Sequence, residues 1–186
     1  VLGTSGIVEP MSEQALVESI RLEMDQLAAG GARTLVITPG NYGESYIREH
    51  TGLDLERAVK CSNFIGETLD YAVHLKLEGV LLIGHAGKLV KLGAGVMNTH
   101  SRMADGRMET LAAHAALAGM NRLDLGDLMR AATVDEAFRI LRKSGLERPA
   151  MASLLERIDE HLAARCGPSV RAGAILFSNR YGLLGR

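Results

Sequence analysis

Three short, unbroken apolar runs constrain this chain most: Thr34-Leu35-Val36-Ile37-Thr38, Val80-Leu81-Leu82-Ile83 and Ala174-Ile175-Leu176-Phe177. A strand with one wet face alternates apolar and polar residues. A run without alternation is buried on both faces, as in a parallel sheet. Parallel strands need long crossovers, usually helical. The intervening segments supply them. Pro10 precedes a helix from the N-cap Ser12 to Ala29, with Leu16, Ile20, Met24 and Leu27 at helical spacing and Gly30-Gly31 as its stop. The pattern further predicts a brief helix over 44–50, a short strand over 58–61, and helices over 64–78, 105–118 and 125–131. Thr133-Val134-Asp135-Glu136 is a capping box that opens a helix to Lys143, and Pro149 opens another to residue 165. Val1-Leu2 reads as the end of a first strand. The expected fold is α/β: one domain over 1–186, a mostly parallel sheet with helices on both faces, a Rossmann-like three-layer sandwich.

The 186 residues suffice for a real core, and 47% apolar with 23% charged residues exclude a disordered chain. A formal net charge of −1 gives no global attraction to nucleic acid or anionic membranes, so any anion binding has to be local. No apolar run reaches membrane-spanning length and no secretory signal is present. Cys61 and Cys166 are too few and too far apart for a disulfide framework or a metal motif, which points to a reducing cytoplasm.

Four strand ends carry small polar residues and glycine: Gly3-Thr4-Ser5-Gly6, Pro39-Gly40-Asn41-Tyr42-Gly43, Ser62-Asn63-Phe64-Ile65-Gly66 and Gly84-His85-Ala86-Gly87-Lys88. In a parallel sheet such loops share one edge, where ligands of open α/β sheets bind. The first is not a dinucleotide fingerprint. The last lacks the spacing and the Ser/Thr of a phosphate loop. His85 and His100 are the candidates for proton transfer. Lys88 and Lys91 are candidate carboxylate ligands, and Arg102 and Arg107 candidate bidentate ones, against the alternatives of a solvated face and of surface pairing with Asp105 or Glu109. Asp105 and Glu109 read as an (i, i+4) pair on one helix face. A metal site from His85, His100 and Asp105 has no recognised spacing, and none is expected. His114 and His161 read as structural or surface residues, and the methionines as packing.

The segments GTSGIVEPMS, TPGNYG, SNFIGETLDYA, LLIGHAGKLVKLGAGVMNTHSRMADGRMETLAAHAALAG and SNRYGLLG together resemble the CbiD family of cobalamin biosynthesis, along essentially the whole chain. The resemblance implies an S-adenosylmethionine-dependent C-methyltransferase of anaerobic cobalamin (vitamin B12) synthesis. Its members methylate C1 of cobalt-precorrin-5B to give cobalt-precorrin-6A. It further implies that this chain is the C-terminal part of a longer enzyme, with a preceding N-terminal region as its partner. Cobalt arrives with the tetrapyrrole, so no protein metal site is implied. The donor is expected at Gly3, Thr4, Ser5, Gly6, Gly40, Asn41, Tyr42, Ser62 and Asn63. The carboxylate arms of the tetrapyrrole are expected at Gly84, Gly87, Lys88, Lys91, Asn98, Thr99, Arg102 and Arg107. His85, then His100, is the expected base. No nucleic-acid or membrane partner is expected, and a homo-oligomer is compatible with this reading. Two other readings stand beside it: a nucleotide- or anion-binding phosphotransfer domain using Gly84 to Lys88, and a noncatalytic half that holds the tetrapyrrole.

Overall fold

The computed structural model describes residues 12–50 and 58–186. The expected first strand at Val1-Leu2 and the loop Gly3 to Gly6 lie outside them. The described chain runs α1 (Glu13–Ala29), β1 (Thr34–Thr38), α2 (Asn41–His50), β2 (Ala58–Lys60), α3 (Ile65–His74), β3 (Gly79–His85) and α4 (Ala86–Leu89), which continues as a 3-10 turn to Ala94. Then come α5 (Arg107–Leu117), α6 (Arg122–Met129), α7 (Val134–Lys143), α8 (Glu147–Cys166), β4 (Arg171–Ser178) and β5 (Gly182–Gly185).

The five strands form one sheet in the order β2-β1-β3-β4-β5. The first four are parallel, and β5 pairs antiparallel with β4. All three apolar runs are strands, as their lack of alternation predicts. β3 is central and pairs along its length with β4, from Gly79 opposite Arg171 to His85 opposite Phe177.

Side-chain alternation divides the apolar residues between two faces. Leu35, Ile37, Val80, Leu82, Ala174 and Leu176 enter a large core shared with α1, α3, α5, α7 and α8. Val36, Ile83 and Phe177 point the other way, into a smaller cluster closed by Ile47 of α2. This is the expected layered α/β architecture, with unequal layers.

Local chemistry sets the element ends. Ser12 Oγ accepts the Ala15 N–H at 3.1 Å and starts α1. At α7, Thr133 Oγ1 accepts the Glu136 N–H at 3.2 Å, while Glu136 Oε2 accepts the Ala132 N–H at 3.0 Å. The predicted capping box is thus formed, reaching one residue further back. Some boundaries differ from the pattern. β3 runs through Gly84 and His85, because β4 supplies pairing partners for both. The helix expected from Asp105 starts at Arg107, so Asp105 and Glu109 do not share a helix face. The segment after His85, read as a loop, is α4 and its 3-10 extension, with Leu89, Val90 and Leu92 fully buried.

α2 lies unusually close to the sheet because Gly43 has no side chain. A Cβ there would stand 2.8 Å from Thr38 Cβ and 2.9 Å from the Ile83 carbonyl oxygen. Backbone cannot yield as a flexible side chain does. Gly43→Ala is therefore expected to destabilise the fold by about 1–3 kcal/mol through overpacking, measured as a lower urea midpoint at an unchanged slope.

Candidate active site

Because β1 to β4 are parallel, their carboxyl ends at Thr38, Lys60, His85 and Ser178 share one edge. Three of the four expected loops are described, and they converge there. The Cys61 N–H donates to the Thr38 carbonyl at 3.1 Å. Lys88 Nζ donates to the Ser62 carbonyl at 3.4 Å and lies 3.7 Å from where a Cβ on Gly40 would be. Ser62 itself has φ 53°, in the left-handed region rarely used by side-chain-bearing residues. The stretch 97–100 folds back over this edge. Met97 O accepts the Gly66 N–H, the Thr99 N–H donates to Asn63 O, and Phe64 and Asn98 form an isolated bridge.

His85 ends β3 and caps α4. Its Nδ1 accepts the Gly87 N–H at 3.1 Å. That bond leaves the proton of the neutral ring on Nε2, so the ring presents a donor outward. Burial holds its pKa below the ordinary 6.5, and the Asp135 carboxylate acts in the opposite direction. The ring meets Phe177 edge-on at 5.8 Å and Tyr42 at 6.1 Å. The same bond occupies Gly87's amide, one of the backbone donors a phosphate loop would need. Gly84 is buried: a Cβ would meet Pro39 Cγ at 2.8 Å and Leu89 Cγ at 3.0 Å. It serves strand packing rather than open contact, and the phosphotransfer reading loses its geometric basis.

The cations divide by role. Lys91 is only 4% exposed, and its Nζ donates to the carbonyls of Ala104 at 2.7 Å and Thr99 at 3.2 Å. It is not a solvated lysine. It ties the 99–104 loop to the 3-10 turn. Burial lowers its pKa, with Asp105 opposing that shift. Arg107 and Asp105 form a two-pronged pair, with Nη2 to Oδ2 at 2.9 Å. This is the surface pairing weighed from sequence. Hydrogen bonding to Arg107 pulls Asp105 below its usual range. Arg102 is exposed, while its N–H donates to His100 Nδ1 at 3.1 Å. His100 thus also carries its neutral-state proton on Nε2. Asn98 Oδ1 accepts the His100 N–H at 3.1 Å and shapes this turn.

A cleft of about 310 Å³ gathers much of the expected acceptor set: Asn63, Gly87, Lys88, Lys91, Thr99, His100, Ser101 and Arg107 line it. Lys88 is its most available cation. Burial is the main cause of its lowered pKa, and the neighbouring Lys91 charge acts in the same direction. Burial also pushes the adjacent Cys61 thiol up to about 12, which leaves it unreactive.

A second cleft, of about 320 Å³, lies on the other side of His85. It is lined by Tyr42, Tyr46, His50, Phe177, Ser178, Asn179 and Gly182. Tyr46 stacks on Phe177 at 4.1 Å and on His50 at 4.6 Å. Of this set, only Tyr42 was singled out from sequence. The missed signal is the i, i+4, i+8 spacing of Tyr42, Tyr46 and His50, one stripe on α2. Asp135 was legible only as a helix-capping residue. In the fold it accepts a 2.7 Å hydrogen bond from Ser178 Oγ, whose oxygen in turn accepts the N–H groups of Arg180 and Tyr181.

A mostly parallel sheet with clefts along its carboxyl edge is the arrangement at which open α/β domains hold small molecules. Residues 98–186 match the family described as CbiD, C-terminal domain. The chain is 48% identical over 179 residues to the cobalt-precorrin-5B C(1)-methyltransferase of Ruminiclostridium cellulolyticum, covering 96% of this chain and 47% of that relative. It is 40% identical over 184 residues to the enzyme of the same name from Alkaliphilus metalliredigens, covering 99% and 48%. For the Photorhabdus laumondii relative of that name the identity is 39% over 188 residues, covering 100% and 50%. The match to the CbiD C-terminal domain covers residues 98–186, and the chain spans about half the length of these relatives. No solved structure matches it.

The cap at His85 has a pH signature. Its folded pKa lies below its ordinary value of 6.5, so on acidification the unfolded chain takes up a proton that the folded ring refuses. Its contribution to stability is present above that value and shrinks as pH falls through it. His85→Ala is expected to cost about 0.5–2 kcal/mol near pH 7. His85→Asn, which keeps a side-chain acceptor for the Gly87 N–H, should recover most of that loss. Urea denaturation near pH 7.5 and near pH 5 reads both effects, and the difference between parent and His85→Asn should fall at the lower pH.

Proposed function

We propose that this chain is the part of a cobalt-precorrin-5B C1-methyltransferase that holds the acceptor's carboxylate arms and the methyl donor at one sheet edge. The reaction proposed is conversion of cobalt-precorrin-5B to cobalt-precorrin-6A in anaerobic cobalamin synthesis. The observation that carries the reading is the cationic cleft on a chain of formal charge −1. A nearly neutral protein that gathers Lys88, Lys91 and the Asp105-paired Arg107 around one opening suits a polyanionic ligand. The name of these relatives supplies the ligand's identity.

Lys88 is proposed as the principal acceptor-binding cation, because it is half-buried and its recorded partner is a single carbonyl at 3.4 Å. Lys91 and Arg107 contribute charge while holding the loop. Arg102, exposed at the turn after His100, is proposed to reach arms outside the cleft. Thr99, Asn63 and Gly87 complete the wall. His85 and His100 each have Nδ1 occupied by a backbone N–H, so each is proposed to donate from Nε2. In that role they pin acceptor oxygens. This replaces the base role expected from the sequence.

S-adenosylmethionine, when bound, supplies a methyl group already activated by its sulfonium. The chain's own task is then to orient two ligands and exclude water. The aromatic cleft fits the donor: it is nucleoside-sized, flanked by Tyr42 and beside His85. Donor and acceptor would then approach from opposite sides of the β3 end. The preceding half of the enzyme is the proposed partner that completes the acceptor site.

In the full-length enzyme, Lys88→Ala is expected to raise the tetrapyrrole KM about ten-fold or more, as for loss of a charge-assisted hydrogen bond. The donor KM should stay unchanged. The effect should be largest at low ionic strength, where charge pairing is least screened. An unchanged tetrapyrrole KM, measured by product formation over a substrate series, would overturn the acceptor assignment.

A further inference from the structure

We propose that the cleft between α2 and the β4–β5 turn is a purine site, which takes the adenine ring of the methyl donor between the aromatic stripe of α2 and the amide of Asn179. This rests on the methyl-donor reading and adds the part of the donor bound, its orientation and the residues that read it.

The stripe comes first. Tyr42, Tyr46 and His50 recur every four residues, so they stand in a row along one side of α2. Gly43 and Ile47, one position on, face the sheet. Seating α2 on the sheet therefore fixes where the row points. Tyr46 is held flat by stacking on Phe177 at 4.1 Å, with interplanar angle 8°. His50 lies parallel to Tyr46 at 4.6 Å and 11°. Tyr42 remains 65% exposed, an unusual position for a large ring with no core to fill. The row thus offers a flat face at His50 and an exposed ring at Tyr42, beside His85, on a rigid base.

The opposite wall is polar and equally well anchored. Ser178 Oγ bonds Asp135 and accepts the N–H groups of Arg180 and Tyr181, which fixes the turn that bears Asn179. Arg142 stacks over Tyr181 at 4.1 Å and ties the same turn to α7. Asn179 lines the cleft with one amide donor and one carbonyl acceptor. That pair matches the N7 acceptor and N6 amino donor of adenine.

Charge chooses the occupant. A cavity of about 320 Å³ has room for a nucleoside, and the neighbouring cleft of about 310 Å³ is no larger, so charge rather than size separates the two. Among the described residues the lining of the aromatic cleft contains no lysine, arginine or carboxylate, so they do not select the acidic arms that the neighbouring cleft attracts. A neutral planar heterocycle remains. Its sugar would then lie toward His85, and the sulfonium methyl toward the cationic cleft.

The test is calorimetric, on the full-length enzyme, with adenosine, inosine and S-adenosylmethionine as probes. Inosine replaces the N6 donor by an oxygen acceptor. The parent should bind adenosine and S-adenosylmethionine, and inosine more weakly. Tyr42→Ala should weaken adenosine and S-adenosylmethionine alike by roughly ten-fold, as for loss of a base-stacking ring. Asn179→Ala should weaken adenosine, which loses the N6 and N7 contacts, more than inosine, which loses only the N7 contact, so that discrimination collapses. A misfolded variant would lose both nucleosides, and the discrimination ratio separates that case from the one proposed. If the parent binds S-adenosylmethionine and neither variant alters it, the purine site is wrong while the methyl-donor reading stands. If the parent binds no S-adenosylmethionine, the donor reading itself falls. If Tyr42→Ala impairs tetrapyrrole binding instead, the cleft belongs to the acceptor and the proposal is overturned.

Discussion

The two-sided pairing of β3 is the constraint on which the rest of the structure depends. A parallel strand has no hairpin to close it. Each neighbour is delivered by a crossover, β1 from earlier in the chain and β4 only after α5 to α8 have been laid down. Once both are in place, the β3 backbone is bonded along its length and its side chains are buried on both faces. His85 at its last position is then held by the register that sets it opposite Phe177. Everything proposed for the site refers to that fixed point: the cationic cleft opens on the β2 side and the aromatic cleft on the β4 side.

A buried ammonium performs the second structural task. A charge removed from water has to be met by good hydrogen-bond partners. Lys91 meets two carbonyls from a loop 8 and 13 residues further on. The loop that carries Thr99, His100 and Ser101 is therefore ordered by an internal cation. Lys88, three residues earlier, lines the same cleft and donates to the Ser62 carbonyl instead. Two lysines of similar sequence context thus divide into one that orders the loop and one proposed to face the ligand.

The backbone plan was largely visible in the sequence. The runs at 34–38, 80–83 and 174–177 lack alternation, and that pattern reports two-sided burial whatever the neighbours are. Ser12, Thr133 and Glu136 announce helix starts because a cap is a local hydrogen bond. Two elements were not visible. β5 is four residues bounded by glycines, and it is a strand only because β4 lies beside it. α4 and its 3-10 extension contain glycines that disfavour helix locally. Their form comes from fully burying Leu89, Val90 and Leu92.

The site divides in the same way. Composition and motif by themselves determined that this chain is an α/β protein, and the ordered segments carried the family resemblance. Those are local or linear properties, and a linear reading recovers them. Tertiary structure alone decided which histidine nitrogen carries a proton, that Lys91 is buried, that Asp105 occupies Arg107, and that Asp135 reaches Ser178. The Asp135 bond joins segments 43 residues apart, while the bonds of His85, His100 and Asp105 each span two residues and follow from the local backbone that packing imposes. The aromatic cleft shows the boundary most clearly. Its stripe was present at 42, 46 and 50, but the wall at 177–179 meets it only because α2 packs over β3 and β4 pairs beside them.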